Sequence, residues 1–136
     1  MEIIQHIVNY TLDELKVIDK FGEVYRKYPK NPKRAYFEFR KYIQKINNDI
    51  EISNLGNIKI NGNVVIPFKK DDGDFYITLQ EKLDYKVYRL VAETWVEFSF
   101  DDTLNWDVHH IVNNGPNVPE NLIWINHNLH FNKIHK

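Results

Sequence analysis

The chain has 136 residues, 43% of them hydrophobic and 14% aromatic, and no cysteine. That is enough for one globular domain with a real core. It excludes disulfides, a thiol nucleophile and a four-cysteine zinc knot, so any metal must be held by His, Asp, Glu or Asn. The net charge of −1 is unevenly spread: residues 1–50 hold 10 Lys/Arg against 7 Asp/Glu, and residues 51–136 hold 8 against 12, balances of +3 and −4. The start, Met1-Glu2-Ile3-Ile4-Gln5-His6, has no basic cluster and no long apolar run follows it. That reads as a soluble cytoplasmic protein with no membrane association.

Thr11 and Glu14 form a capping box, and Leu12, Leu15, Ile18, Phe21 and Tyr25 recur at helical spacing, predicting a helix over 11–28. Pro32 suits the first turn of a second helix over 32–47, with Tyr36, Phe39, Ile43 and Ile46 along one stripe. The connection carries Arg26, Lys27, Lys30, Lys33 and Arg34. It reads equally as a solvated corner and as a phosphate-facing surface. From residue 50 the period changes to two. Ile50 and Ile52, then Ile58 and Ile60, flank a turn-rich joint at 53–57, the pattern of a β-hairpin. Asn61-Gly62 is a second turn signal, and 64–66 and 75–79 read as further strands around a polar tip at 69–74. A short strand over 85–88 leads to a helix over 89–98 with Leu90, Val91, Thr94 and Trp95 on its apolar side. The only seam is near residue 48, dividing a helical segment 1–49 from 50–136. The expected fold is α+β: N-terminal helices, a small antiparallel sheet, then a C-terminal β-hairpin followed by a helix.

The chemistry concentrates at the C-terminal end. Five of the six histidines, at 109, 110, 127, 130 and 135, lie in the last 28 residues. Hydrolysis of a phosphodiester needs a group that accepts a proton from water near neutrality, and imidazole is the side chain best suited to it. It also needs charge neutralised on the phosphate and the departing oxygen, which a divalent metal does well. Adjacent strand residues point to opposite faces, so His109 and His110 can take different jobs where a strand ends. A third group must come from elsewhere.

The stretch Trp106-Asp107-Val108-His109-His110-Ile111, followed by Asn121 and His130, resembles the HNH (ββα-metal) nuclease motif of phage and intron-encoded homing endonucleases. There a ligand and a base histidine stand side by side at the end of the first strand. A central Asn follows about eleven residues on, and a metal-binding His or Asn nine further, on a helix. Upstream, Tyr88-Arg89-Leu90-Val91-Ala92-Glu93 is similar to the HRLVA helix that precedes the site in that family, with Tyr for the usual His. Ile52-Ser53-Asn54-Leu55-Gly56-Asn57-Ile58 is similar to the S-N-x-G hairpin of the NUMOD-type module that accompanies it. Together these cover residues 50–136 and leave 1–49 without a counterpart.

The resemblance implies a metal-dependent DNA endonuclease. His110 would be the general base, His109 and His130 the metal ligands, and Asn121 the residue that ties the loop to the strand and so orients the base. Mg²⁺ is the first expectation for the ion, with Mn²⁺, Zn²⁺ and Ni²⁺ as alternatives. His127 either joins the site or caps the helix in solvent, and His135 points elsewhere. Arg89, Lys59, Lys30, Lys33 and Arg34 are candidate DNA contacts, with Lys69 and Lys70 as further backbone-tracking residues on hairpin edges. Asp107 reads as a strand-edge carboxylate, and Trp95, Trp106 and Trp124 as core. Two other readings stand beside this one: a DNA-binding module on a nuclease fold, and a nuclease toxin or phage defence factor acting with a protein partner. A homodimer is compatible with each, and the setting would be the cytoplasm of a bacterium or a phage-infected host.

Overall fold

A computed structural model describes residues 4–29, 49–79, 83–98 and 106–126. The fold is α+β, with two helices and small antiparallel sheets among the described residues. None of the described helices is long and apolar enough to cross a membrane. The expected helix over 32–47 and any helix after Asn126 lie outside the described residues.

Strand β1 (Ile4–Gln5) is followed by helix α1 (Leu12–Phe21). Thr11 and Glu14 close the capping box reciprocally, at 2.9 and 3.1 Å. The helix is shorter than the 11–28 of the sequence reading. Gly22 takes the left-handed conformation (φ +79°) and its N–H bonds Ile18 O, which ends the helix there. Residues 25–27 then form a strand, β2 (Tyr25–Lys27).

Strands β3 (Ile50–Ser53), β4 (Ile58–Ile60) and β5 (Asn63–Val65) make the expected hairpins. The sheet order is β2-β3-β4-β5. Asn61 and Gly62 both have positive φ, as a two-residue hairpin turn of this hand requires. Alternation buries Ile50, Ile52 and Ile58 on the inner face.

A second sheet is built from β6 (Phe68–Lys69), β7 (Phe75–Leu79) and β8 (Leu83–Lys86). Helix α2 (Val87–Trp95) follows directly and buries Val87, Leu90, Val91, Ala92 and Trp95. It starts and ends earlier than the expected 89–98. Val96 is extended and pairs with Val8, and Glu97 N–H bonds Ile7 O, so the N-terminal segment recruits the residues that would have continued the helix.

The third sheet is β1-β10-β9, with β9 (Trp106–His110) and β10 (Leu122–Asn126) forming an antiparallel hairpin in which Leu122 faces His110 and Trp124 faces Val108. All three tryptophans are core, as expected. Trp95 and Trp124 are almost fully buried, and their indole N–H groups bond Ile52 O and Val96 O, both at 3.0 Å. Those bonds lock α2 between the first sheet and the C-terminal hairpin. The seam expected near residue 48 is crossed by two strand pairings, β1 with β10 and β2 with β3.

Candidate active site

The hairpin β9–β10 sets the site. Along β9, Trp106, Val108 and His110 fall on one face by alternation, and Asp107 and His109 on the other. Trp106 and Val108 are buried, while both histidines are half-buried at the end of the strand. Beyond His110 the chain leaves the sheet, and Ile111 N–H closes the ladder on Asn121 O at 2.8 Å.

Within the loop 111–121, the Asn121 side chain makes three hydrogen bonds. Asn121 is buried, its Oδ1 accepts from Val112 N–H at 2.8 Å, and its Nδ2 donates to Pro116 O at 3.0 Å and Val112 O at 3.3 Å. Gly115 is required beneath it, because a Cβ there would come within 2.7 Å of Asn121 Nδ2 and 2.8 Å of Val112 O. The loop is clamped on the other side by the N-terminal segment. His6 Nε2 lies 3.1 Å from Pro119 O, and Tyr10 OH donates to Glu120 at 2.7 Å.

This clamped loop delivers Asn117 to His110. Asn117 Oδ1 lies 2.6 Å from His110 Nε2. A carboxamide oxygen only accepts, so in a neutral imidazole this contact places the proton on Nε2 and the lone pair on Nδ1. Tyr88, at the position where the resembling motif has His, meets the His110 ring edge-on at 5.1 Å and 69°. Burial pushes the Tyr88 hydroxyl up and Lys86 opposes it, 3.3 Å away. Gly56 of the β3–β4 turn packs directly on Asn117: a Cβ at Gly56 would sit 2.3 Å from Asn117 O. The hairpin therefore buttresses the residue that holds His110. Asn117 carried no signal beyond an Asn in a loop, while Gly56 was marked only as the Gly of the S-N-x-G hairpin, with nothing to link it to Asn117.

His109 and His110 line one open cleft of about 380 Å³ with Asp74, Tyr88, Asp107 and Asn113. Imidazole and carboxylate donors suit a divalent ion of the Mg²⁺, Mn²⁺ or Zn²⁺ type. Among the described residues, no three His, Asp or Glu side chains converge as a metal would need. The expected third donor, His130, lies outside the described residues, as do His127 and His135.

Arg89 corrects the sequence reading. Expected to contact phosphate, it is 1% exposed. Its guanidinium reaches Glu93 and Asp107, each at 3.2 Å. Glu93 is fully buried and also accepts from Tyr28 OH (2.6 Å) and Tyr85 OH (2.7 Å). Burial pushes the Glu93 carboxyl up, against the pull of Arg89 and the two tyrosines. Arg89 thus ties α2 to β9 two residues before His109. The i, i+4 pairing of Arg89 with Glu93 on an otherwise apolar helix was the available signal.

Lys59 lies on β4, over the Tyr25 ring at 4.2 Å, and does not line the cleft. Lys30, Lys33 and Arg34 lie outside the described residues. The neighbouring Arg26 is spent internally: it bonds Glu14 at 2.7 and 3.0 Å and stacks on Trp95 at 3.9 Å. The chain matches no family model, and no curated protein or solved structure is significantly similar to it.

Proposed function

We propose that this chain is a metal-dependent DNA endonuclease in which His110 activates the attacking water. The observation that carries the reading is the 2.6 Å contact between His110 Nε2 and Asn117 on a loop that Asn121 clamps. Fixing the tautomer leaves Nδ1 as the proton acceptor, and fixing the loop costs no reorganisation when the reaction starts. His109, with His130, would hold a divalent ion, which supplies neutralisation of charge on the phosphate and the leaving oxygen. The chain's own part is narrower. His110 takes the proton from water, Asn117 holds the imidazole, and Asn121 and Gly56 hold Asn117. The half-buried setting of both histidines keeps them reachable from the cleft.

The test is supercoiled plasmid incubated with Mg²⁺, Mn²⁺, Zn²⁺, Ni²⁺ or EDTA. Nicked or linear product with metal and none with EDTA is expected. Retarded plasmid without cleavage under every metal would favour a DNA-binding module, and activity only with a co-purifying protein would favour a toxin or defence factor.

A further inference from the structure

A second cleft, of about 250 Å³, adjoins the first at Asp74, His110 and Asn113, and proton transfer does not use it. The β6–β7 turn with its flanks Lys69 and Phe75 forms one wall, facing the 113–117 loop. Three features of this lining point to a ligand. Phe75 leaves 43% of its surface in solvent, an aromatic face beside a polar site. Lys70 and Lys86 are neutralised by Asp84 (2.8 Å) and Asp74 (3.2 Å). Lys69, in contrast, has no carboxylate partner among the described residues and holds its ammonium 5.9 Å from the Phe75 ring centre. Opposite, the exposed side chains of Asn113 and Asn114 make no hydrogen bond among the described residues.

A flat apolar face, an unneutralised cation and two groups that both donate and accept are what a nucleotide requires: a stacking platform, a phosphate contact and partners for the base edge. We propose that this cleft binds one unstacked nucleotide of a DNA strand, its base against Phe75 and its phosphate at Lys69. The inference rests on the nuclease reading of His110 and names its substrate. A base inside a duplex has both faces covered by its neighbours, so the occupant comes from a single strand, a flap or a gap. The carboxylate in this lining, Asp74, is already neutralised by Lys86 at 3.2 Å.

The experiment uses the full chain in EDTA, so that no metal-dependent cleavage intervenes. A DNA oligonucleotide carrying 2-aminopurine is titrated as a single strand and as a duplex. A saturable fluorescence change with the single strand, and weaker binding of the duplex, are expected. Phe75→Leu should raise the single-strand dissociation constant about tenfold, while Phe75→Tyr, which keeps the ring, should bind as the parent does. Lys69→Ala should reduce the single-strand salt slope by about 0.7. Equal binding of duplex and single strand, no binding at all, or Phe75→Leu at the parent affinity would each overturn the proposal. Weakening by Lys69→Ala alone would also overturn it, reducing the wall to a duplex-tracking edge. A parent protein that binds in this way and, with metal, cleaves neither plasmid nor single-stranded DNA refutes the nuclease reading and leaves the nucleotide site standing.

Discussion

Replacing Asn121 by Ala removes three hydrogen bonds at once, to Val112 N–H (2.8 Å), Pro116 O (3.0 Å) and Val112 O (3.3 Å). A neutral hydrogen bond contributes about 0.5–1.5 kcal/mol net, and the longest of the three lies at the edge of useful geometry. Val112 is 63% exposed, so water replaces its lost partner and little further penalty falls there. Two effective bonds then give a loss of about 2 kcal/mol, or roughly 5–10 °C in Tm for a chain of this size. Asn121→Asp should do no better. It keeps an acceptor for Val112 N–H but sets a carboxylate against two carbonyl oxygens. Because the same loop carries Asn117, nicking activity should fall as well, by about 10- to 100-fold, the usual consequence of freeing a residue that orients a functional histidine. Urea melts followed by tryptophan fluorescence, beside plasmid nicking, measure both. A stability change below about 0.5 kcal/mol or an Asp variant as stable as the parent would refute the clamp.

Gly56→Ala should lose both stability and activity, since its Cβ would sit 2.3 Å from Asn117 O, whereas Gly62→Ala, with similar positive φ but open space around it, should lose stability alone; equal nicking rates for the two would remove Gly56 from the site. Arg89→Met leaves Glu93 buried without its cation and should cost about 3–5 kcal/mol, with part of the loss recovered by adding Glu93→Gln. A normal Tm with a reduced salt slope of DNA binding would instead restore Arg89 as a phosphate contact. The Arg26 guanidinium bonded to Glu14 holds that carboxyl below its ordinary value of 4.5, helped by Thr11 and opposed by burial. A depressed folded value means stability that is present above about pH 4.5 and lost as pH falls through the folded value. The Tm difference between parent and Glu14→Gln should therefore shrink on acidification below that pH, and a constant difference from pH 7 to pH 3 would contradict it.

Much of the fold was legible where local chemistry and tertiary packing agree. Ile50, Ile52, Ile58 and Ile60 alternate because one face is buried, and Asn61-Gly62 can supply the two positive φ values that the turn demands. The capping box of α1 was legible too, but its end was not. Tyr25 stands four residues after Phe21 and imitates a continuing stripe, while Gly22 between them takes the left-handed conformation that stops the helix. The end of α2 was hidden because its cause is a pairing of Val96 with Val8, 88 positions away. At the site, hairpin register pairs Leu122 with His110 and so sets Asn121 beside Ile111, and the place of Asn121 near His110 was legible through the resembling motif. Asn117 could not, because several asparagines share that loop and only the fold chooses which one reaches His110. Arg89 was misread for a related reason. An arginine near a helix start looks solvent-facing until Glu93 and Asp107 are brought to it.

The most direct measurement is plasmid nicking by His110→Ala beside His109→Ala, each with metal titrated. We expect His110→Ala to lose about two to four orders of magnitude in rate while its DNA affinity in EDTA is unchanged, since a base contributes to proton transfer and not to holding the strand. His109→Ala should lose rate in a way that excess metal partly restores. A His110→Ala protein that nicks plasmid at the parent rate would contradict the assignment of His110 as the base and, with it, the proposed nuclease mechanism.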